Sequence, residues 1–231
     1  MKIKSMYKYE MHVHTAECDP HAHVAAREIV RIYKELGYDG LVITDHYAAM
    51  FYDWFADELV GASHKDVMDR WLRGYREARD EGEKLGLTVL LGAEVRFNGQ
   101  INDYLIYGAD EDFYLSAPPL NELSDLSELV SILPENALVV QAHPFRDKMT
   151  VCDPALLFGI EVHNGGTEPF RNEMARMFAE HYGKRMLSGS DLHRIEQAGR
   201  GGIMTEKTIK TQGDLISVLR SGDYSLICRK D

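Results

Sequence analysis

The sequence predicts an α/β protein whose strands close into one barrel. Three observations carry this prediction. Short apolar runs alternate with amphipathic helical stretches. Residues able to hold a metal recur at the ends of several of those runs. No linker, repeat or shift of composition divides the 231 residues, so residues 1–231 read as a single domain.

The first strand runs from Met6 to Glu10, where Met and Tyr alternate with Lys and Glu, and leads into Met11-His12-Val13-His14-Thr15. Strand side chains repeat every two residues, so His12 and His14 leave the same face. Residues 24–36 place Val24, Ile29, Ile32, Tyr33 and Leu36 at a near-helical period, and Gly37 is the expected C-cap. Leu41 to Thr44 is a short apolar strand delivering Asp45 and His46. This β-α-β order predicts a parallel pair.

The aromatic stretch 47–62, with Tyr47, Phe51, Tyr52, Trp54 and Phe55, reads as irregular, either a pocket wall or packing over the rim. One long amphipathic helix is predicted from His64 to Leu85, stopping at Gly86. Leu87 to Val95 is the third strand, with Glu94 near its end, and Asp103 to Gly108 the fourth. A helix near 123–133 precedes the fifth strand, Ala137 to Ala142, which delivers His143. Phe158 to Val162 ends at His163-Asn164-Gly165-Gly166. A helix over 168–182 leads to Met186–Gly189, which delivers Ser190-Asp191-Leu192-His193. A helix over 211–220 and a short strand over 224–228 finish the chain. Ligand-type residues at many different strand ends favour a closed barrel, whose strand ends surround one mouth, over an open sheet.

Ten histidines are present, and five of them (His12, His14, His46, His143 and His193) fall at strand ends with Glu94 and Asp191. A lone histidine is usually an ordinary surface or core residue; five in this pattern are not independent accidents. Mixed imidazole and carboxylate donors suit Zn, Mn or Fe better than Ca or Mg. A carboxylate can bridge two metals, and two metals ~3.5–4 Å apart can clamp a phosphate without a protein nucleophile. No GxSxG elbow is present. Arg146, three residues after His143, is placed to bind phosphate bidentately, with Arg194 and Arg200 as weaker candidates. His163 is a candidate for substrate contact or proton donation to a leaving oxygen, a structural role being the simpler reading.

A net charge of −11 argues against stable nucleic-acid binding, which needs basic surface. The three cysteines form no CxxC pair, the N-terminus lacks an apolar signal core, and no run approaches the ~20 apolar residues of a membrane span. A cytoplasmic location is expected, with no membrane partner.

Taken together, HVHT at 12–15, ITDH at 43–46, GAE at 92–94, AHPFR at 142–146 and SGSDLH at 188–193 resemble the PHP (polymerase and histidinol phosphatase) superfamily of metal-dependent phosphoesterases. The resemblance covers nearly the whole chain. It implies a distorted (β/α)7 TIM-like barrel with two or three metals at its C-terminal mouth. His12, His14, Glu94 and Asp191 would hold the first metal, and Glu94 would bridge to a second on His143. His46 and His193 would bind a third, with Asp19 or His21; Asp19 has the commoner spacing. Glu94, His143 and Asp191 would serve catalysis through a metal-bridging hydroxide.

One departure is Asp103, where many family members carry a histidine; it is either an oxygen ligand to the second metal or a strand-start residue that binds none. The implied activity is hydrolysis of a small phosphate ester, with phosphomonoesters ahead of phosphodiesters and a nuclease role lower. An amidohydrolase also carries HxH on its first strand, but no lysine stands at a proposed ligand position. A non-catalytic metal-binding module is the competing reading from another class.

Overall fold

The computed structural model of the protein describes residues 6–229. β1 spans Tyr7–Glu10. α1 (Ala26–Glu35) buries Ala26, Ile29, Val30 and Tyr33, one stripe of a 3.6-residue period, and Gly37 follows at φ 73°. β2 (Gly40–Ile43) is buried along its length, and a two-residue β3 (His46–Tyr47) follows. The stretch expected to be irregular instead forms two short helices, α2 (Ala49–Trp54) and α3 (Ala56–Leu59).

The single helix expected over 64–85 is two, α4 (His64–Trp71) and α5 (Arg73–Leu85), divided at Leu72. Buried Val67, Trp71, Gly74, Ala78 and Glu81 continue one period across the break, so the pattern alone could not reveal it. Then come β4 (Thr88–Val95), β5 (Tyr104–Tyr107), α6 (Glu111–Ser116), α7 (Leu126–Ile132), β6 (Leu138–Gln141) and β7 (Gly159–Asn164). The chain ends with α8 (Pro169–Tyr182), β8 (Arg185–Gly189), β9 (Ile203–Thr205), α9 (Gln212–Ser221) and β10 (Ser225–Leu226).

The strands form one sheet in the order β10-β9-β1-β2-β4-β5-β6-β7-β8, with β3 added beside β4. β1, β2 and β4 pair in parallel, as do β6, β7 and β8. β5 runs antiparallel to both its neighbours, as β9 does to β1 and β10. The reversal of β5 was not visible in the pattern, and it brings the start of β5, not its end, to the mouth. The barrel closes at that mouth where Val13, past β1, bridges Leu192, past β8. His14 N donates to Leu192 O (3.1 Å) and Leu192 N to His12 O (3.3 Å). The HxH and SDLH segments are therefore neighbours because the sheet closes there.

Alternation along the strands sorts the core. Val42, Leu90, Leu105, Tyr107, Val140 and Leu187 share one buried cluster with Tyr9 and Met11. Leu41, Ile43 and Val89 point the other way, against Ile29, Val30 and Tyr33 of α1. Tyr107 donates its hydroxyl to Met11 O (2.9 Å), tying β5 to the end of β1. Leu215, Val218 and Leu219 of α9 pack into the first cluster. Gly108, at the end of β5, comes so close to α9 that an added Cβ would stand 2.9 Å from Ile216 Cδ1. α9 thus covers the end of the barrel opposite the mouth.

Candidate metal centre

The five strand-end histidines converge. His12 Nε2 and His14 Nε2 lie 3.0 Å apart, both buried. Glu94 reaches them from β4, its oxygens 3.5 Å from His12 Nε2 and 3.3 Å from His14 Nε2. Asp191 Oδ1 stands 3.5 Å from His12 Nε2 and 3.3 Å from His14 Nε2. His143 Nε2 is 3.0 Å from Glu94 Oε1, and His46 Nδ1 is 2.9 Å from Glu94 Oε2. Glu94 therefore has a different imidazole at each oxygen, the arrangement of a bridging carboxylate.

Asp19 Oδ2 lies 3.5 Å from His46 Nε2 and 3.3 Å from His193 Nε2. Asp19 is buried; the side chain of His21 is 73% exposed and lies beside Trp54. Of the two acid-loop candidates, the carboxylate is the one turned toward His46 and His193. Among the described residues, four groups bring their donor atoms within 4.8 Å of one another: His12-His14-Glu94, His12-His143-Asp191, Glu94-Asp103-His143 and His14-His46-His193.

The donor chemistry fits cations. Glu161 Oε1 is 2.8 Å from His12 Nδ1. A carboxylate can only accept, so Nδ1 carries the proton there and a neutral His12 presents a lone pair at Nε2. That lone pair faces a second imidazole nitrogen and two carboxylates. Asp191 Oδ1, His14 Nδ1 and His46 Nδ1 are buried without a hydrogen-bond partner; the contact of His46 Nδ1 with Glu94 is close but not hydrogen-bonding. Asp191 Oδ1, a buried acceptor without a donor that stands 3.3–3.5 Å from two imidazole nitrogens, is what a metal-binding set leaves open and a hydrogen-bonded core avoids.

The same crowding divides the proton affinities. Burial opposes charge on His12, but Glu161, Asp191 and Glu94 outweigh it and hold its pKa well above the usual value. Burial, with His46 and His193 nearby, drives His14 well below its own. His193 is only half-buried; partial burial opposes its charge, yet Asp19 and Asp191 push it up to about 10. Despite burial, His12 and His46 hold Glu94, and His12, His14 and His193 hold Asp191, well below the usual carboxylate range.

Several groups that position this set were not evident in the sequence. Glu161 Oε2 also accepts from His143 N (3.0 Å) and Asn164 Nδ2 (2.9 Å). His143 and Asp191 both adopt positive φ, 27° and 51°, uncommon for residues other than glycine and typical of strained functional positions. Glu161 anchors the first of these. Asn164 Nδ2 contacts Asp191 Oδ2 at 3.1 Å. Glu10 is buried and accepts from His12 N (3.2 Å), Ser190 N (2.8 Å), Ser190 Oγ (2.5 Å) and Tyr33 OH (2.7 Å), which stitches the two closing segments together. The parity Glu10-His12-His14 could have flagged it, as could an acid inside the apolar run Gly159-Ile160-Glu161-Val162. On the outer side, Asp45 accepts from Thr15 N (2.7 Å) and Oγ1 (2.8 Å), and Gly74 of α5 packs so tightly there that an added Cβ would overlap Thr15 Oγ1.

Arg146 reaches the centre, with Nη1 3.2 Å from His143 Nε2 and Nη2 3.3 Å from Asp191 Oδ2. Together with His193, Thr167, Arg194, Gln197 and Arg200 it lines a groove of about 800 Å³. His163 is not brought into the cluster. A bulge between Glu161 and His163 shifts the register with β8, pairing His163 with Ser188 and Asn164 with Gly189. The extra residue turns Asn164 inward in place of His163. His163 Nε2 lies 3.1 Å from Arg200 O and lines a separate cavity of about 270 Å³. Asp103 is buried at the mouth, 4.0 Å from His143 Nε2, and is held by both arms of Arg96.

A family model described as the PHP domain matches residues 10–190. The chain belongs to the PHP domain family. A second model, described as PHP-associated, matches residues 169–224. Solved structures share the fold of this chain. A two-domain protein from Bacteroides vulgatus, containing a predicted PHP-like metal-dependent phosphoesterase, superimposes with a TM-score of 0.67 at 18% identity over 97% of this chain; the chain spans 65% of that protein's length. PsfC from Pseudomonas syringae gives the same TM-score and identity, with 97% of this chain and 92% of PsfC covered. An amidohydrolase from Chromobacterium violaceum, solved with bound sulfate, gives 0.52 at 16% identity, covering 80% and 87%. No curated protein matches the chain. Among the described residues, no helix is long and apolar enough to cross a membrane.

Proposed function

We propose that this PHP chain hydrolyses a small-molecule phosphate ester, a phosphomonoester first, using two or three divalent transition metals (Zn, Mn or Fe). The observation that carries this reading is the convergence of five imidazoles on Glu94, Asp191 and Asp19, with Asp191 Oδ1 buried and lacking a donor, beside a groove bearing three arginines. Left uncompensated, these carboxylates would repel a phosphate; a cationic centre reverses the sign of the field.

In this reading His12, His14, Glu94 and Asp191 hold one metal, His143 and Glu94 a second, and Asp19, His46 and His193 a third. When bound, such metals supply Lewis acidity, making a water nucleophilic near neutral pH and offsetting charge on the phosphoryl oxygens. The protein's own groups orient the reaction. Glu161 keeps the proton of His12 on Nδ1 and so keeps Nε2 available. Arg146, at the His143–Asp191 corner, offers two parallel N–H donors to non-bridging phosphate oxygens. Arg194 and Arg200, farther along the groove, are placed to meet the rest of the substrate.

The test is elemental analysis of protein purified without chelator, coupled to phosphate release from histidinol phosphate, nucleoside monophosphates, sugar phosphates, an aryl phosphate and a phosphodiester. Two to three metals per chain and release that is lost in His12→Ala are expected. Metal binding with no hydrolysis of any ester would overturn the enzymatic reading in favour of a binding module. No metal after reconstitution with Zn or Mn would overturn the centre itself.

A further inference from the structure

The three corners of the centre differ in what stands behind them. The His12–His14 corner is backed by the Glu161 carboxylate, 2.8 Å from His12 Nδ1. The His46–His193 corner carries Asp19, which reaches both rings. The Glu94–Asp103–His143 corner is backed by guanidinium instead. Arg96 Nε donates to Asp103 Oδ1 and Nη2 to Asp103 Oδ2, each at 2.6 Å. Arg146 Nη1 lies 3.2 Å from His143 Nε2.

The sheet register creates the first of these pairs. Val95 pairs with Tyr104 in the antiparallel β4–β5 ladder, so Arg96 and Asp103 stand opposite one another at its next step. Residues two apart on a strand share a face, so Arg96 emerges on the Glu94 side. Asp103 is buried and the Arg96 side chain is 28% exposed, which makes this a shielded, two-armed ion pair and not a solvated surface contact.

We infer that Arg96 sets the metal occupancy of the centre: by chelating Asp103 it makes the Glu94–Asp103–His143 corner a weak, exchangeable site beside two tight ones. A carboxylate with each oxygen already accepting a charge-assisted bond is a poorer metal donor, and the fixed positive charge of Arg96 repels a divalent ion at short range. At the His12–His14 corner Asp191 meets Arg146 and Asn164 through Oδ2 alone and keeps Oδ1 unpaired, and at the His46–His193 corner Asp19 turns Oδ2 to the two rings; neither carboxylate has both oxygens held by one guanidinium. The inference rests on the proposed metal centre, and it adds which corner exchanges and which residue makes it do so.

Manganese titration read by the electron paramagnetic resonance of the free ion counts bound metal without reference to turnover. Wild-type protein is expected to bind two Mn²⁺ tightly and one at least tenfold more weakly. Arg96→Met should tighten the weak site by about ten- to hundredfold, the range typical of residues that support metal ligands, and leave the tight pair unchanged. Arg96→Lys, which keeps charge but loses the fork, should fall between. Three equally tight ions in the wild type, or a weak site unmoved in both variants, would overturn the inference and leave the phosphoesterase reading standing. No bound manganese in the wild type would overturn both. Two tight ions and an unchanged circular dichroism spectrum in each variant show that it has folded; if Arg96→Met does not fold, Arg96→Lys decides alone.

Discussion

Glu161 touches no proposed substrate position, yet its replacement by glutamine should cripple metal binding. In the native protein one oxygen accepts from His12 Nδ1 at 2.8 Å, and the other from His143 N at 3.0 Å and Asn164 Nδ2 at 2.9 Å. Glutamine keeps the shape but offers one acceptor and one donor group. If its NH₂ faces His143 N and Asn164 Nδ2, donors meet donors in a buried place, at a cost of about 1–3 kcal/mol. If its NH₂ faces His12, the ring proton must move to Nε2, and the lone pair aimed at Glu94, Asp191 and His14 is lost.

Either arrangement lands near the ten- to hundredfold loss of metal affinity typical for such supporting groups, or about 1.4–2.8 kcal/mol. The assay is competition for zinc against a chromophoric chelator, with circular dichroism as the control for folding. Affinity in Glu161→Gln within about twofold of wild type would refute the reasoning, because it would mean that the tautomer of His12 is set by something other than Glu161.

Two further outcomes follow from the geometry of the centre. Asp19→Asn should weaken the His46–His193 corner by about ten- to hundredfold, whereas His21→Ala should leave metal stoichiometry unchanged, since the His21 side chain is 73% exposed; manganese titration of both variants checks this. Metal binding should release protons. His193, pushed up to about 10 by Asp19 and Asp191, is protonated near neutral pH and must lose that proton to bind, so apparent affinity should rise with pH across the neutral range. Calorimetry in buffers of different ionisation enthalpy reads the proton count, and an affinity flat between pH 6 and pH 8 on the order of the measurement error would exclude this linkage.

The sequence by itself determined most of the strands and the longer helices, the barrel, and most of the residues that meet at its mouth; it did not show β3, α6 or β9, nor the helices within 47–62 or the break at Leu72. What it determined depends on local rules: a period near 3.6 marks helices such as α1, apolar runs mark strands such as β2 and β4, and the two-residue alternation puts His12 and His14 on one side. His46, Glu94, His143 and Asp191 were legible because each follows or ends such a run. The tertiary structure decided what depends on partners distant in the chain. The reversed direction of β5 brought Asp103 to the mouth, and the β4–β5 register set Arg96 against it. A one-residue bulge in β7 exchanged His163 for Asn164, a choice no periodicity records. Closure through Val13 and Leu192 joined segments about 180 residues apart and gave Glu10 its partners on Ser190. Glu161 took its role only once β7 lay between β6 and β8 and its side chain met His12 past the end of β1. A chain's local pattern fixes which face a side chain leaves by; register, strand direction and closure fix what it meets there.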